Sequence, residues 1–127
     1  MRQVYNTDQA PSPVGPYNQS VGDSKTLYVS GQVAIDPHTG EMVQSSIEDE
    51  TRQVMHNIGA VLHAAGVDYG AILMCTVFVR DMDDYSRING VYADFFDEAT
   101  APARALVEVS RLPKDANIEI SVIATIA

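Results

Sequence analysis

Residues 46–66 read SIEDETRQVMHNIGAVLHAAG, and residues 71–79, which follow closely, read AILMCTVFV. In the first segment, apolar and small residues recur every four or three positions and form one stripe of a helix: Ile47, Thr51, Val54, Ile58, Val61 and Ala65. Ser46 followed by Asp49 resembles a capping box with a shorter acid, and Gly66 is typical of the position just past a helix C-terminus. The second segment is rich in β-branched and apolar residues, which predicts a strand.

Weaker patterns predict the remaining elements on either side of this pair. They are an irregular lead-in over residues 6–16, a strand over 26–30, a turn over 36–40, a second helix from Asp83 or Asp84 to about Asp97 that Gly90 interrupts, and strands over 103–109 and 118–126 joined by a turn at 113–115. This order implies an α+β fold. We take residues 1–127 as one domain, because the chain is short for two domains at ~150 residues each.

The faces of the predicted sheet indicate an assembly. Two helices cover one side of a sheet of this size, yet the strand over 71–79 is apolar on both sides. The uncovered side would be an unusually large exposed apolar patch for a monomer. We therefore expect a homo-oligomer that buries it; the alternative is that the loop over 6–16 folds across that face.

Composition excludes several classes of function. The formal charge is −9, with 8 Lys and Arg scattered among 17 Asp and Glu, which disfavours nucleic acid and anionic membrane as partners. Cys75 is the single cysteine, so an intramolecular disulfide is excluded. The N-terminus has no apolar h-region, and no stretch approaches the ~18 apolar residues of a membrane span. We expect a soluble, cytoplasmic protein.

The usual catalytic and metal motifs are missing. His56 and His63 lack the i, i+4 spacing of two ligands to one metal and are interpreted as solvated helix residues. Cys75 lies in mid-strand and is interpreted as a small core residue. The acids at 81, 83 and 84 lack the glycine and final glutamate of a calcium loop. We expect no metal site.

Two charged residues stand out in the last two predicted strands. Alternation places Arg104 on one face with Leu106 and Glu108, in a segment otherwise made of small and apolar residues. Glu119 lies opposite the apolar face of its strand. A guanidinium binds a carboxylate through two parallel hydrogen bonds, and a carboxylate is suited to move a proton for attacking water. An ordinary Arg–Glu pair, or two separate solvent-facing residues, explains the same spacing.

Several blocks of the sequence resemble a known family. PARALVEV at 102–109, RLPKD at 111–115 and IEI at 118–120 resemble the C-terminal signature of the RidA (YjgF-type) reactive-intermediate deaminases. Further blocks are similar to that family in the same order: GPY at 15–17, VSGQ at 29–32, TVFV at 76–79, and Asn89 with Tyr92 and Phe95–Phe96. The likeness spans nearly the whole chain.

The resemblance implies a chorismate-mutase-like α+β subunit, with a mixed sheet and two helices packed on one face. It implies a homotrimer with active sites in the clefts between subunits. The implied activity is hydrolytic deamination of enamines and imines of the 2-aminoacrylate and 2-aminocrotonate type to 2-keto acids and ammonia. Because the imine is already electrophilic, no cofactor is expected.

The resemblance also implies the roles of individual residues. Arg104 would bind the substrate carboxylate, and Glu119 would activate water and relay a proton to the departing nitrogen. The implied binding residues are Tyr17 as a pocket wall, Ser30 and Asn89 as hydrogen-bonding groups, Gly31 as the residue that leaves room for the ligand, and Leu106.

This chain departs from the family pattern at three points near Arg104. Leu106 stands where many members carry Cys. The exchange is harmless if that residue contributes through its backbone, but any role of the thiol is lost. Ala101 stands where an aromatic residue often precedes the proline, and the loop from Phe96 to Arg104 is about two residues short. The last two changes are expected to reshape the pocket and alter substrate preference.

Alternative functions remain open at this point. A trimeric module that binds small carboxylates or keto acids without turnover would carry the same pocket residues. A ribonuclease or translation-inhibitor activity, suggested for some relatives, is disfavoured by the acidic charge. A chaperone-like role would require an exposed apolar surface on the assembled oligomer.

Overall fold

The first helix begins and ends where its caps predict. In the computed structural model, which describes residues 1–126, α1 spans Ile47–Ala64. The Ser46 hydroxyl accepts a hydrogen bond from the backbone N–H of Asp49 at 3.0 Å, and Gly66 takes a φ of 81° just beyond the helix. The apolar stripe is buried against the sheet while His56 and His63 are exposed. Ala127, the last residue of the predicted domain, lies outside the described residues.

Six strands form one mixed sheet. They are β1 (Gln3–Tyr5), β2 (Ser20–Gly22), β3 (Thr26–Gln32), β4 (Ile72–Val79), β5 (Ala103–Glu108) and β6 (Ile118–Thr125), in the spatial order β1-β2-β3-β6-β4-β5. The edge strand β5 pairs parallel to β4, and every other pair is antiparallel. The strand predictions for β3 to β6 are confirmed, and so is the mixed α+β class. No helix within residues 1–126 is long and apolar enough to cross a membrane.

The second helix is shorter than predicted. The helix α2 spans Tyr85–Tyr92, preceded by a 3₁₀ turn and followed by another over Ala93–Phe95. The capping prediction was wrong, because the Asp81 carboxylate accepts the N–H of Asp83 and Asp84 forms no side-chain cap. Gly90 does not interrupt the helix. Residues 81–84 form a tight turn that places the start of α2 beside β5.

The N-terminal region contains two short strands that the sequence did not predict. Residues 6–16 are irregular, as expected, and β1 and β2 flank them. Gln19, which is 2% exposed, organises this segment. Its side-chain oxygen accepts the Thr7 N–H at 2.7 Å, and its amide donates to the Thr7 and Pro11 carbonyls at 2.9 and 2.8 Å. One buried amide therefore holds the lead-in against the sheet.

The two faces of the sheet differ sharply. Both helices pack on one face, which we call the helix-covered face; its central side chains are buried: Leu27, Val29, Cys75, Val77, Ile120 and Val122. The opposite, helix-free face carries Tyr28, Met74, Phe78, Val107 and Ile123. Tyr28 and Val107 are 56% and 45% exposed, so the lead-in leaves these parts of the face uncovered. The predicted uncovered apolar face is therefore present in the single chain.

Candidate active site

The guanidinium of Arg104 is held by three side chains of α2. Its Nη1 donates to the Asn89 side-chain oxygen at 2.7 Å, and its Nη2 donates to the Tyr85 hydroxyl at 3.2 Å. The guanidinium carbon also lies 4.9 Å from the ring centre of Tyr92. Arg104 carries five N–H donors. Two are used here, so the others remain available to a ligand.

Two residues next to the Arg104 guanidinium, Tyr92 and Cys75, are buried. Burial raises the pKa of Tyr92 well above its ordinary value, and its hydroxyl has no hydrogen-bond partner among the described residues. The neighbouring Cys75 is buried, which raises the pKa of its thiol. A buried, protonated thiol is a poor nucleophile, so the interpretation of Cys75 as a core residue is confirmed.

A cavity of about 570 Å³ opens beside Arg104. It is lined by Asn89, Tyr92, Ala93, Phe96, Glu98, Ala101 and Arg104. Its volume suits a small organic ligand. The small side chains of Ala93 and Ala101 leave the cavity wide on the side of the loop that precedes Arg104. Leu106 does not line this cavity; it is partly buried and packs against the core.

Glu119 occupies a second, smaller cleft of about 210 Å³. This cleft is lined on one side by Pro11, Ser12, Val14, Tyr17 and Gln19, and on the other by Gly31, Gln32, Val33, Ile35, Pro113, Lys114 and Glu119. Within residues 1–126 the Glu119 carboxylate forms no hydrogen bond and no ion pair. Partial burial raises the pKa of Glu119 above its ordinary value.

The Glu119 carboxylate lies directly over Gly31. A Cβ atom added to Gly31 would come within 2.8 Å of the Glu119 carboxyl carbon, closer than side chains approach one another. The absence of a side chain at Gly31 thus creates the space that Glu119 occupies. Sequence reasoning assigned that space to the ligand; the structure places the carboxylate itself there.

A β-bulge positions Ser30 and Gly31 beside this cleft. The register of β3 against β6 shifts between Val29 and Gln32, which displaces both residues from the regular ladder. The Ser30 backbone N–H donates to the Gln19 carbonyl at 2.9 Å, and its hydroxyl donates to the Asn18 carbonyl at 2.6 Å. Because its hydrogen is already used, the Ser30 hydroxyl is left as an acceptor.

A buried glutamate anchors the wall next to Glu119. Glu50, which is 1% exposed, accepts the backbone N–H of Asn117 at 2.7 Å and its side-chain amide at 2.9 Å. The turn just before Asn117 is held in an uncommon conformation, with φ of 57° and 53° at Lys114 and Asp115. Glu50 therefore connects the start of α1 to the start of β6. Sequence reasoning missed this contact.

Arg104 and Glu119 lie on opposite faces of the sheet. Arg104 is paired with Cys75 of β4, whereas Glu119 is paired with Phe78. Paired residues share a face, and two positions an odd number apart on one strand point to opposite faces. Arg104 therefore belongs to the helix-covered face and Glu119 to the helix-free face. The alternative of an Arg104–Glu119 ion pair is not seen within residues 1–126.

The predicted site residues thus fall into two groups. Asn89 joins Arg104 at the first cavity, and Tyr17 and Gly31 join Glu119 at the second, with Ser30 adjacent. Tyr85, which sequence reasoning missed, contacts Arg104 directly. Its position nineteen residues earlier, on another element, gives no local signal. Within residues 1–126 no cluster of three His, Cys, Asp or Glu side chains is arranged to hold a metal ion.

Comparisons with known proteins agree on one family. The family model described as Endoribonuclease L-PSP matches residues 7–126. A RutC family protein from Pyrococcus horikoshii is 49% identical over 98% of both chains. The mouse 2-iminobutanoate/2-iminopropanoate deaminase is 39% identical over 98% of this chain and 91% of its own length. The crystal structure of a Rid-family protein from Yersinia pestis is 46% identical, with a TM-score of 0.95 over 98% of this chain and 99% of that one.

Proposed function

Because the chain belongs to the RidA (YjgF-type) family, we propose that it hydrolyses reactive enamines and imines of the 2-aminoacrylate and 2-aminocrotonate type to 2-keto acids and ammonia. The observation that carries the proposal is the arrangement of Arg104. Its guanidinium is fixed by Asn89, Tyr85 and Tyr92 and still offers free N–H groups beside a cavity. Such a group binds the carboxylate of a small planar imino acid.

The reaction requires one attacking water and one proton relay. Glu119 takes a proton from the water as its oxygen adds to the imine carbon. The same carboxyl gives that proton to the nitrogen, which forms a carbinolamine. Glu119 then takes the proton of the new hydroxyl and passes it to the same nitrogen, so that the C–N bond breaks and ammonia leaves the 2-keto acid. Glu119 forms no hydrogen bond within residues 1–126, which suits this role, because no partner among them has to be displaced when the carboxyl gains or loses its proton.

The opposite facing of Arg104 and Glu119 supports an active site between subunits. One substrate cannot contact both residues of a single chain, since the sheet separates them. The exposed apolar residues of the helix-free face provide a surface for a second copy. We therefore place the site where Arg104 of one subunit meets Glu119, Tyr17, Ser30 and Gly31 of the next, in a homotrimer.

Leu106 contributes to this site through its backbone. Its side chain packs against the core and lies outside both cavities. Because β5 is an edge strand, the outward backbone groups around Leu106 are free to meet a neighbouring copy or a ligand.

A ribonuclease activity, which the family description names, is less well supported by this chain. The formal charge of −9 opposes contact with a phosphate backbone. Arg104 is engaged with Asn89 and Tyr85 and stands among apolar surfaces, which suits a small ligand better than a polyanion.

The test is a coupled assay in which a threonine/serine dehydratase generates the imine and its absorbance decay is followed. We expect the wild-type protein to accelerate the decay and Arg104→Ala to lose activity by at least about 100-fold. Arg52→Ala, which removes an exposed arginine of α1, serves as the matched control and should retain activity. Sedimentation should give the same oligomer for all three proteins.

Two other results would contradict the proposed function or the role of Arg104. Absence of acceleration across several amino-acid precursors, together with retained binding of 2-keto acids, would replace the enzyme by a carboxylate-binding module. Dissociation of the Arg104→Ala oligomer would mark Arg104 as a structural residue.

A further inference from the structure

The Tyr85 hydroxyl stands at the open edge of the Arg104 guanidinium. It lies 3.2 Å from Nη2, and Tyr85 is 41% exposed. Tyr85 does not line the cavity beside Arg104, but a ligand oxygen bound to Nη2 lies within reach of this hydroxyl. Tyr85 holds Arg104 in place, and its hydroxyl also has a hydrogen of its own to donate. We propose that the Tyr85 hydroxyl donates a hydrogen bond to the substrate carboxylate, alongside Arg104; this assignment rests on the proposed function.

The direction of the existing hydrogen bond leaves the Tyr85 proton available. A guanidinium has donors only, so the hydroxyl oxygen is the acceptor in its bond with Arg104. The hydroxyl hydrogen must then point to another acceptor. Within residues 1–126 the Tyr85 hydroxyl donates to no acceptor, and the Asn89 side-chain oxygen already accepts Nη1 of Arg104 at 2.7 Å. A ligand oxygen beside Arg104 is therefore able to accept the Tyr85 hydrogen.

The spacing of the two donors fits one carboxylate. Hydrogen-bonded oxygens lie about 2.8 Å from their donors, so a single oxygen is able to contact both Nη2 and a hydroxyl 3.2 Å away from it. The electrostatic setting strengthens this donor. Hydrogen bonding from Asn89 and the positive charge of Arg104 lower the pKa of Tyr85. A more acidic hydroxyl donates a stronger hydrogen bond to an anion.

The experiment measures binding apart from turnover. The affinity of 2-oxobutanoate and of its uncharged amide, 2-oxobutanamide, is determined by calorimetry for wild type and Tyr85→Phe. The matched control is Tyr5→Phe, which removes a hydroxyl that forms no hydrogen bond within residues 1–126. We expect Tyr85→Phe to weaken 2-oxobutanoate binding about 10-fold. The affinity for the amide, and both affinities in Tyr5→Phe, should stay within about twofold of wild type.

The kinetic counterpart separates binding from chemistry. In the imine assay, Tyr85→Phe should raise KM by a similar factor and leave kcat nearly unchanged, because the hydrogen bond forms in both ground and transition states. Unchanged affinity for 2-oxobutanoate, or an equal loss for acid and amide, would overturn the assignment. A wild-type protein that binds the keto acid without hydrolysing imines would refute the proposed function while leaving the Tyr85 measurement decisive.

Discussion

The Arg104 cluster and the Glu119 cleft hold their charged groups in opposite ways. Arg104 is bound by Asn89 and Tyr85 and rests on the ring of Tyr92. Glu119 is half-buried, forms no hydrogen bond within residues 1–126, and has a raised pKa caused by burial. The difference matches two chemical tasks. A group that binds an ion benefits from fixed geometry, whereas a group that takes and returns a proton benefits from a weakly solvated environment.

The largest expected effect on activity comes from mixing two inactive variants, one that lacks Arg104 and one that lacks Glu119. Arg104→Ala and Glu119→Gln should each lose nearly all activity alone. After subunit exchange of an equal mixture, one junction in four within a closed ring combines the intact Arg104 with an intact Glu119. We therefore expect recovery of about one quarter of wild-type turnover, measured in the imine assay.

The control for this experiment is a mixture in which no subunit carries an intact Arg104. A mixture of Arg104→Ala with the double variant Arg104→Ala/Glu119→Gln contains no intact Arg104 and should stay inactive. If the first mixture also stays inactive despite demonstrated subunit exchange, both halves act from one chain and the intersubunit site is wrong.

Gly31→Ala tests the freedom of Glu119. The added Cβ would come within 2.8 Å of the Glu119 carboxyl carbon, so the carboxylate must move. We expect kcat/KM to fall by about 10- to 100-fold, since displacement of a catalytic group by about 1 Å has effects of this size. Gly90→Ala is the matched control, because its Cβ meets no atom within 4 Å. Equal activity of both variants would show that the position of Glu119 over Gly31 is unimportant.

Ala101→Phe tests the width of the cavity beside Arg104. Ala101 lines this cavity, so a phenyl group in its place would reduce the volume open to the substrate side chain. We expect kcat/KM for imines derived from leucine or phenylalanine to fall about 10-fold, with a change of about twofold or less for 2-iminopropanoate. Competition between the two substrates measures this ratio directly. An equal loss for small and large imines would indicate a general distortion of the loop.

Glu119→Gln should change stability slightly and in a defined direction. A carboxyl whose pKa is raised in the folded state stabilises the fold below its unfolded pKa, near 4.5, and this contribution is lost as pH rises through the folded pKa. Gln cannot ionise, so Glu119→Gln keeps this stability as pH rises. At neutral pH the variant should be at least as stable as wild type. Urea unfolding at pH 4 and pH 7 provides the comparison. A variant that is less stable than wild type at pH 7 would imply an unrecognised partner of Glu119.

Local signals predicted the central elements well. The cap at Ser46 and the apolar stripe define α1. A run of β-branched and apolar residues identifies β4, and alternation identifies β5 and β6. The three-residue strands β1 and β2 carry no comparable pattern, because they are held by pairing and by the buried Gln19 amide. The extent of α2 was overestimated, since the chain leaves the helix in a 3₁₀ turn after Tyr92 although its composition continues to favour helix.

The sequence predicted which residues belong to the candidate site. It did not predict that Arg104 and Glu119 lie on opposite faces of the sheet. Alternation within a strand shows which face of that strand holds Arg104 or Glu119. The relation between the two faces depends on the pairing of both strands with β4, which no local pattern specifies. The contacts of Tyr85 with Arg104 and of Glu50 with Asn117 are likewise tertiary, and spacing along the chain does not reveal them.

The Glu50 anchor has a consequence for the motions of the chain. Opening the turn before Asn117 would remove both Asn117 hydrogen bonds from the buried Glu50 carboxylate and leave only a long one from Gln44 at 3.4 Å. That loss costs more than fraying an ordinary loop. The Asn117 amide should therefore exchange its hydrogen with solvent as slowly as amides within the sheet. We expect the segment carrying Pro113 and Lys114 to open only together with the first turn of α1. The wall of the Glu119 cleft should then move with the framework of the fold and not as a separate lid.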